Sequence, residues 1–214
     1  MNVTEALTKR RSIRAFLPNP IEKEKLTAVL EAASHTPSWG NSQPWEVFIA
    51  AGDTLDRIKG GYREKYENKV TPTQEIPHPA KWTEAIKKRY KRLRPDMARD
   101  CGDAAEQFVP LNQTLFNAPA VIFLCMDEIL SQWSQYDIGA YSQSLMLAAM
   151  DQGLSTVPAI TLVRFPDVLR SEMKIPDNLK IAIGIAIGYA DTSHRINDYV
   201  SGRGPISEAV HFSD

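Results

Sequence analysis

The segment Arg10-Arg11-Ser12-Ile13-Arg14-Ala15-Phe16 places three guanidinium groups around one hydroxyl and then turns apolar. Guanidinium forks bind phosphate oxygens through paired donors. Arginines at the C-terminal end of a helix also answer the negative end of its dipole with no ligand present. The segment alone leaves both readings open. A second segment, Pro37-Ser38-Trp39-Gly40-Asn41-Ser42-Gln43-Pro44-Trp45, combines hydroxyls, amides, a glycine and two indole rings. Polar groups interleaved with aromatic surface are what a flat heteroaromatic ring with amide-like edges requires. Trp45 leads into an apolar run and reads better as core.

The elements around these segments follow from apolar periodicity. Residues 3–10 fit a short helix with Thr4 as N-cap, so the arginines fall at its C-terminal end. Leu26, Val29 and Leu30 recur at helical spacing in 22–34, and Pro37 stops that helix. Trp45–Ala51 is rich in strand formers. The unbroken apolar run of 118–127 predicts a strand covered on both faces. In 137–153 apolar and small residues occupy almost every helical azimuth, which predicts a helix in mid-core or against a partner subunit. In 180–191 Ile181, Ile183, Ile185 and Ile187 alternate with alanine and glycine, giving a strand with one bulky and one nearly bare face. Gly184 and Gly188 lie inside that strand with no helix start after them, which excludes a dinucleotide fingerprint. The polar tail 192–214, with Arg203 between two glycines, is either frayed or wrapped over another surface.

With 214 residues the chain fits one domain, residues 1–214, with a full core. A net charge of -1 excludes a global basic field for nucleic acid or membrane. The two cysteines form no CxxC, the N-terminus carries no signal-type apolar core, and no apolar run approaches bilayer length. The expectation is a soluble protein of the cytosol, that is, cytoplasmic. The four histidines stand in no metal-ligand spacing, so no metal site is expected. Cys125 sits in the buried strand and Cys101 has no evident activating neighbour.

RRSIRAF, PSWGNSQPWEVFIA, GLSTVPAITL (153–162), AIGIAIGYAD and the late Arg203 occur in an order and at spacings that resemble the FMN-dependent nitroreductase family. The resemblance spans most of the chain outside 53–103. It implies an α+β nitroreductase-like fold: a mixed sheet flanked by helices, a long buried central helix, a variable lid insertion at about 53–103, and an interlocked homodimer with FMN at the subunit interface. Carried over residue by residue, it implies that Arg10, Ser12 and Arg203 hold the FMN phosphate. Arg14 meets the N1/C2 carbonyl edge, where a fixed positive charge favours the reduced ring. Arg11 shares either task. Pro37, Ser38 and Asn41 reach the flavin from the other subunit, and Pro158, Ala159 and Ile160 stand where the family offers backbone N–H groups to N5 and O4. Pro158 has no N–H, so only Ala159 and Ile160 donate there. The implied activity is NAD(P)H-driven, ping-pong reduction of nitroaromatic or quinone acceptors through flavin N5, with no catalytic acid or base from the protein. Reductive dehalogenation, flavin fragmentation and flavin storage without fast turnover stay open as alternatives.

Within the insertion, 81–99 carries eight Lys/Arg against two carboxylates, with Trp82, Ile86, Tyr90 and Leu93 recurring on one side. Such a helix is either a solvated face or a lid whose cations attract NAD(P)H phosphates or an anionic aromatic substrate. One basic helix on an otherwise acidic chain is a small footprint for nucleic acid.

Overall fold

The computed structural model describes residues 2–213. Four strands form one sheet in the order β1-β2-β4-β3: β1 (Glu46–Ala51), β2 (Ala120–Asp127), β3 (Ser155–Ala159) and β4 (Leu179–Gly188). All three strand pairs are antiparallel. The expected mixed sheet is thus corrected. The sole parallel pairing among the described residues is an isolated bridge from Ser12 to Thr156 on the outer edge of β3.

Among the described residues seven α-helices pack around the sheet: α1 (Val3–Lys9), α2 (Lys23–Ser34), α3 (Gly52–Glu67), α4 (Glu84–Cys101), α5 (Phe108–Gln113), α6 (Gln132–Asp151) and α7 (Pro166–Met173). β2 is central, and its side chains alternate between two cores as a period of two requires. Val121, Phe123 and Cys125 join the core with α3, α5 and α7; Ala120, Ile122, Leu124 and Met126 join the core with α2 and α6. Burial on both faces was legible in the run of apolar residues. Burial also pushes the Cys125 thiol up to about 12, which leaves it packing material.

The isoleucine ladder of β4 holds only in part. Ile183, Ile185 and Ile187 face the α2/α6 side, but Ile181 lies in the opposite core. The cause is a β-bulge: Leu124 pairs with Ile183 and Cys125 with Ile181, so Ala182 is an extra residue that reverses the alternation. At this irregularity the Ile181 N–H donates to the Glu75 carboxylate, which also accepts from Arg170. The bare face is filled by neighbours rather than by a ligand. A Cβ on Gly184 would stand 2.4 Å from Leu162 Cβ, and one on Gly188 would stand 2.6 Å from Pro119.

Two helix starts differ from expectation. α1 is capped by Asn2, whose side chain accepts from the Glu5 N–H at 2.9 Å, not by Thr4. α6 begins five residues before Asp137, because the Ser131 hydroxyl caps the N–H of Trp133. Its inner face buries Ile138, Tyr141, Leu145, Met146 and Ala149, while Trp133 and Tyr136 on its first turns are 70% and 74% exposed.

Segment 53–103 divides into two. α3 is a core helix, with Leu55, Ile58 and Tyr62 fully buried. α4 stands out from the body: its side chains are exposed until Leu93, and only Met97 and Cys101, beyond Pro95, are buried. No helix among the described residues is long and apolar enough to cross a membrane.

Candidate active site

After α1 the chain turns extended at Arg10 and runs along the free edge of β3. The Ile13 N–H donates to Thr156 O at 3.1 Å. On its other side the same strap is tied to the end of β4: Leu17 N–H donates to Tyr189 O at 2.9 Å and Asp191 N–H to Ala15 O at 3.0 Å. Ile13 and Ala15 are buried, so the alternation of an extended chain turns Arg10, Ser12 and Arg14 to one side and Arg11 to the other. Arg11 is exposed and stands apart from the group.

The group on that one side is short of negative charge. Arg10 Nη1 is buried without a hydrogen-bond partner, and so is the Thr156 hydroxyl opposite Ser12. Burial lowers the Arg10 pKa, and the nearby guanidinium of Arg203 lowers it further. Neither arginine forms an ion pair among the described residues; Arg203 donates only to its own loop, at Ser201 and Gly202. A buried charged donor left unpaired costs at least about 1–3 kcal/mol. A half-buried guanidinium with one unpartnered donor, and a second cation near enough to lower its pKa, fit an anion with several acceptor oxygens. The phosphate of FMN has that character, so these residues fit the group.

Arg14 is built differently. Its Nη1 donates to Ser12 O at 3.0 Å, and its guanidinium lies 5.4 Å from the Tyr199 ring centroid and 5.7 Å from that of Phe108. Burial lowers its pKa, and it too has no carboxylate partner among the described residues. Its backbone is fixed by Asn197, a buried residue that the sequence reading missed. Asn197 Oδ1 accepts from Arg14 N–H at 2.7 Å and Ala15 N–H at 3.2 Å, while Nδ2 donates to Ala15 O at 2.8 Å and Asp191 O at 2.9 Å. A single asparagine in a polar tail carries no periodic signal. Thr156 was missed as well, although it sits two residues before Pro158.

Pro158 and Ala159 end β3 and Ile160 opens a 3-10 turn, so this stretch continues the same edge beyond Thr156. Pro37, Ser38 and Asn41 lie elsewhere. Their loop is held by Gln43 N–H donating to Ser38 Oγ at 2.9 Å and by Trp39 N–H donating to the buried Asp137 carboxylate at 3.2 Å. Gly40, Asn41 and Gln43 all have positive φ, a conformation asparagine accepts more readily than most residues. Trp39 is 76% exposed and is not core, whereas Trp45 stacks on Tyr141 at 4.6 Å as core. This loop enters β1, the edge opposite β3. Three interstrand steps, about 14 Å in all, separate β1 from β3. One chain therefore brings Arg10, Ser12, Arg14, Arg203 and the 158–160 turn to one edge and leaves the 37–41 loop at the other.

Residues 7–189 match the profile of the Nitroreductase family. The chain belongs to that family. Among curated nitroreductases, it is 31% identical to "Nitroreductase NfnB" of Mycolicibacterium smegmatis, over 95% of this chain and 89% of that protein. It is 28% identical to "4-nitrobenzoate reductase" of Pseudomonas putida, over 96% of this chain and 93% of that one. Its fold superposes with a TM-score of 0.90 on the crystal structure of the FMN-dependent nitroreductase NfnB from Mycobacterium smegmatis in complex with NADPH, at 28% identity over 99% of this chain and 97% of that one. The nitroreductase fold thus accounts for the strap on β3, the doubly covered β2 and the central α6. No cluster of three or more His, Cys, Asp or Glu suited to a metal ion occurs among the described residues.

Proposed function

We propose that the protein is an NAD(P)H-dependent FMN oxidoreductase that reduces nitroaromatic or quinone-type acceptors. The observation that carries this reading is the buried, unpartnered Nη1 of Arg10, a residue on the same side of the strap as Ser12 and near enough to Arg203 for that cation to lower its pKa. FMN supplies acceptance of hydride from the nicotinamide and its delivery to the acceptor. The chain's own residues bind and tune it. Arg10, Arg203, Ser12 and Thr156 hold the phosphate, and Arg14 sets a fixed positive charge at the pyrimidine edge. Thr156 presents its backbone to the outer edge, so alternation turns Ala159 toward its partner Gly184 on β4, and of the 158–160 stretch the Ile160 N–H is the donor that would serve the N5/O4 side next to Pro158. No side chain is required as acid or base.

The 37–41 loop at the opposite edge supports a homodimer in which Pro37, Ser38 and Asn41 of the partner subunit complete each site. The exposed Trp133 and Tyr136 of α6, with Val3 and Leu7 of α1, are apolar surface that a second copy would cover. Two free, buried cysteines suit a reducing compartment, the cytoplasm.

The direct test is optical. Purified protein is yellow, releases FMN on denaturation, is bleached by NAD(P)H without oxygen, and regains colour when a nitroaromatic is added. A flavin that NAD(P)H does not bleach would turn the reading toward storage. A second measurement isolates Arg14: Arg14→Gln makes the bound flavin harder to reduce, because the positive charge at the N1/C2 edge is gone. A redox titration with the same two-electron midpoint in variant and parent would remove Arg14 from that edge.

A further inference from the structure

Most cations of α4 are neutralised by neighbours. Lys87 pairs with Glu84, Arg89 with Glu208, Arg92 with Asp96, and Arg99 with Asp96 and Asp100. Arg94 is different. Like Lys88 and Lys91 it has no carboxylate partner among the described residues, but unlike them it lies over a ring, its guanidinium carbon 4.5 Å from the Phe108 centroid. Phe108 is the same ring that Arg14 approaches at 5.7 Å, so the two guanidinium carbons are within about 10 Å of each other. Arg94 also continues the stripe of Tyr90 at helical spacing, and Tyr90 is 61% exposed with Trp82 against its edge at 4.8 Å. The result is an open wall of aromatic rings that ends in an unpaired guanidinium one ring away from Arg14.

We propose that Arg94, with Tyr90 and Phe108, forms an acceptor subsite that selects aromatic substrates bearing a carboxylate. This rests on the reading of Arg14 as a flavin-edge residue and narrows the substrate class of that same site. A guanidinium stacked on an aromatic ring is held flat, with its N–H edge free to fork onto a carboxylate. Exposed aromatic surface beside it covers the ring of the ligand. Arg14 is engaged by Ser12 and Tyr199, and of the α4 cations without a carboxylate partner Arg94 is the one seated on the ring that Arg14 also approaches, which places it to take an incoming anion.

Two matched pairs of ligands isolate charge from shape: benzoate with benzamide for binding by calorimetry, and 4-nitrobenzoate with 4-nitrobenzamide for turnover. The native protein is expected to favour the carboxylate about fivefold or more in both Kd and KM, a preference that shrinks as salt rises. Arg94→Gln is expected to abolish the preference, and Arg94→Lys to restore part of it. The proposal is overturned if the native protein shows no preference, if Arg94→Gln keeps it, or if Arg94→Gln raises the KM of NADPH while the carboxylate preference stays. Loss of benzoate selectivity in calorimetry reports on Arg94 even in protein that holds no flavin. Absent flavin would count against the oxidoreductase reading and leave the subsite result standing on its own.

Discussion

Arg10→Ala weakens FMN retention by about 1.5–3 kcal/mol, the range for hydrogen bonds made to charged groups, or roughly ten- to more than a hundredfold in Kd. The reason lies in what the guanidinium does without a ligand. Its Nη1 is buried and unpartnered, and Arg203 stands close enough to lower its pKa. Removing Arg10 relieves that repulsion in the empty protein and removes the attraction in the loaded one, so both effects act in the same direction on affinity. Equilibrium dialysis against FMN measures it, with thermal unfolding of the flavin-free variant as the control for folding. Unchanged affinity in a folded Arg10→Ala protein would remove Arg10 from the phosphate site.

A larger effect is expected from combining chains. If each site takes Arg10 from one subunit and Asn41 from the other, an Arg10→Ala chain and an Asn41→Ala chain form hybrid dimers with one doubly damaged site and one intact site. Each homodimer is impaired at both of its sites, so mixing followed by subunit exchange restores activity toward half that of the native dimer. Differently tagged chains allow the hybrid to be purified and assayed by itself. Hybrids with no recovery would mean that the 37–41 loop reaches the flavin of its own chain, despite lying at the opposite sheet edge. The hybrid thus reports on geometry that affinity measurements on either single variant leave open.

The candidate site was read from motifs that resemble the nitroreductase family, and several of its residues sit where local physics is strict. Arg10, Ser12 and Arg14 alternate on an extended strap, and an extended chain has only two sides. Asn41 falls at a positive φ between Gly40 and Gln43, where a short polar residue is tolerated. The doubly buried β2 announced itself by having no polar residue before Asp127. What escaped detection depended on tertiary contacts. Asn197 fixes Arg14 from 183 residues away, and nothing in its own neighbourhood marks it. Ile181 follows the period of its neighbours and still faces the other core, because one extra residue and a carboxylate from Glu75 reset the register. α3 looks polar in composition, yet Leu55, Ile58 and Tyr62 place one stripe of it in the core. The early start of α6 was hidden because Gln132–Tyr136 lack the dense apolar pattern that marks the rest of the helix.

The confrontation of Arg10 with Arg203 reaches beyond the chemistry of the site into the life of the protein in a cell. An empty chain keeps an unpartnered Nη1 on Arg10, an unpartnered Thr156 hydroxyl and a second cation near enough to lower the Arg10 pKa, so a dianion bound there would stabilise the folded chain by mass action. A cell short of riboflavin would therefore accumulate the form that opens more often and is degraded sooner. The amount of this enzyme would then track the vitamin supply at the level of protein turnover.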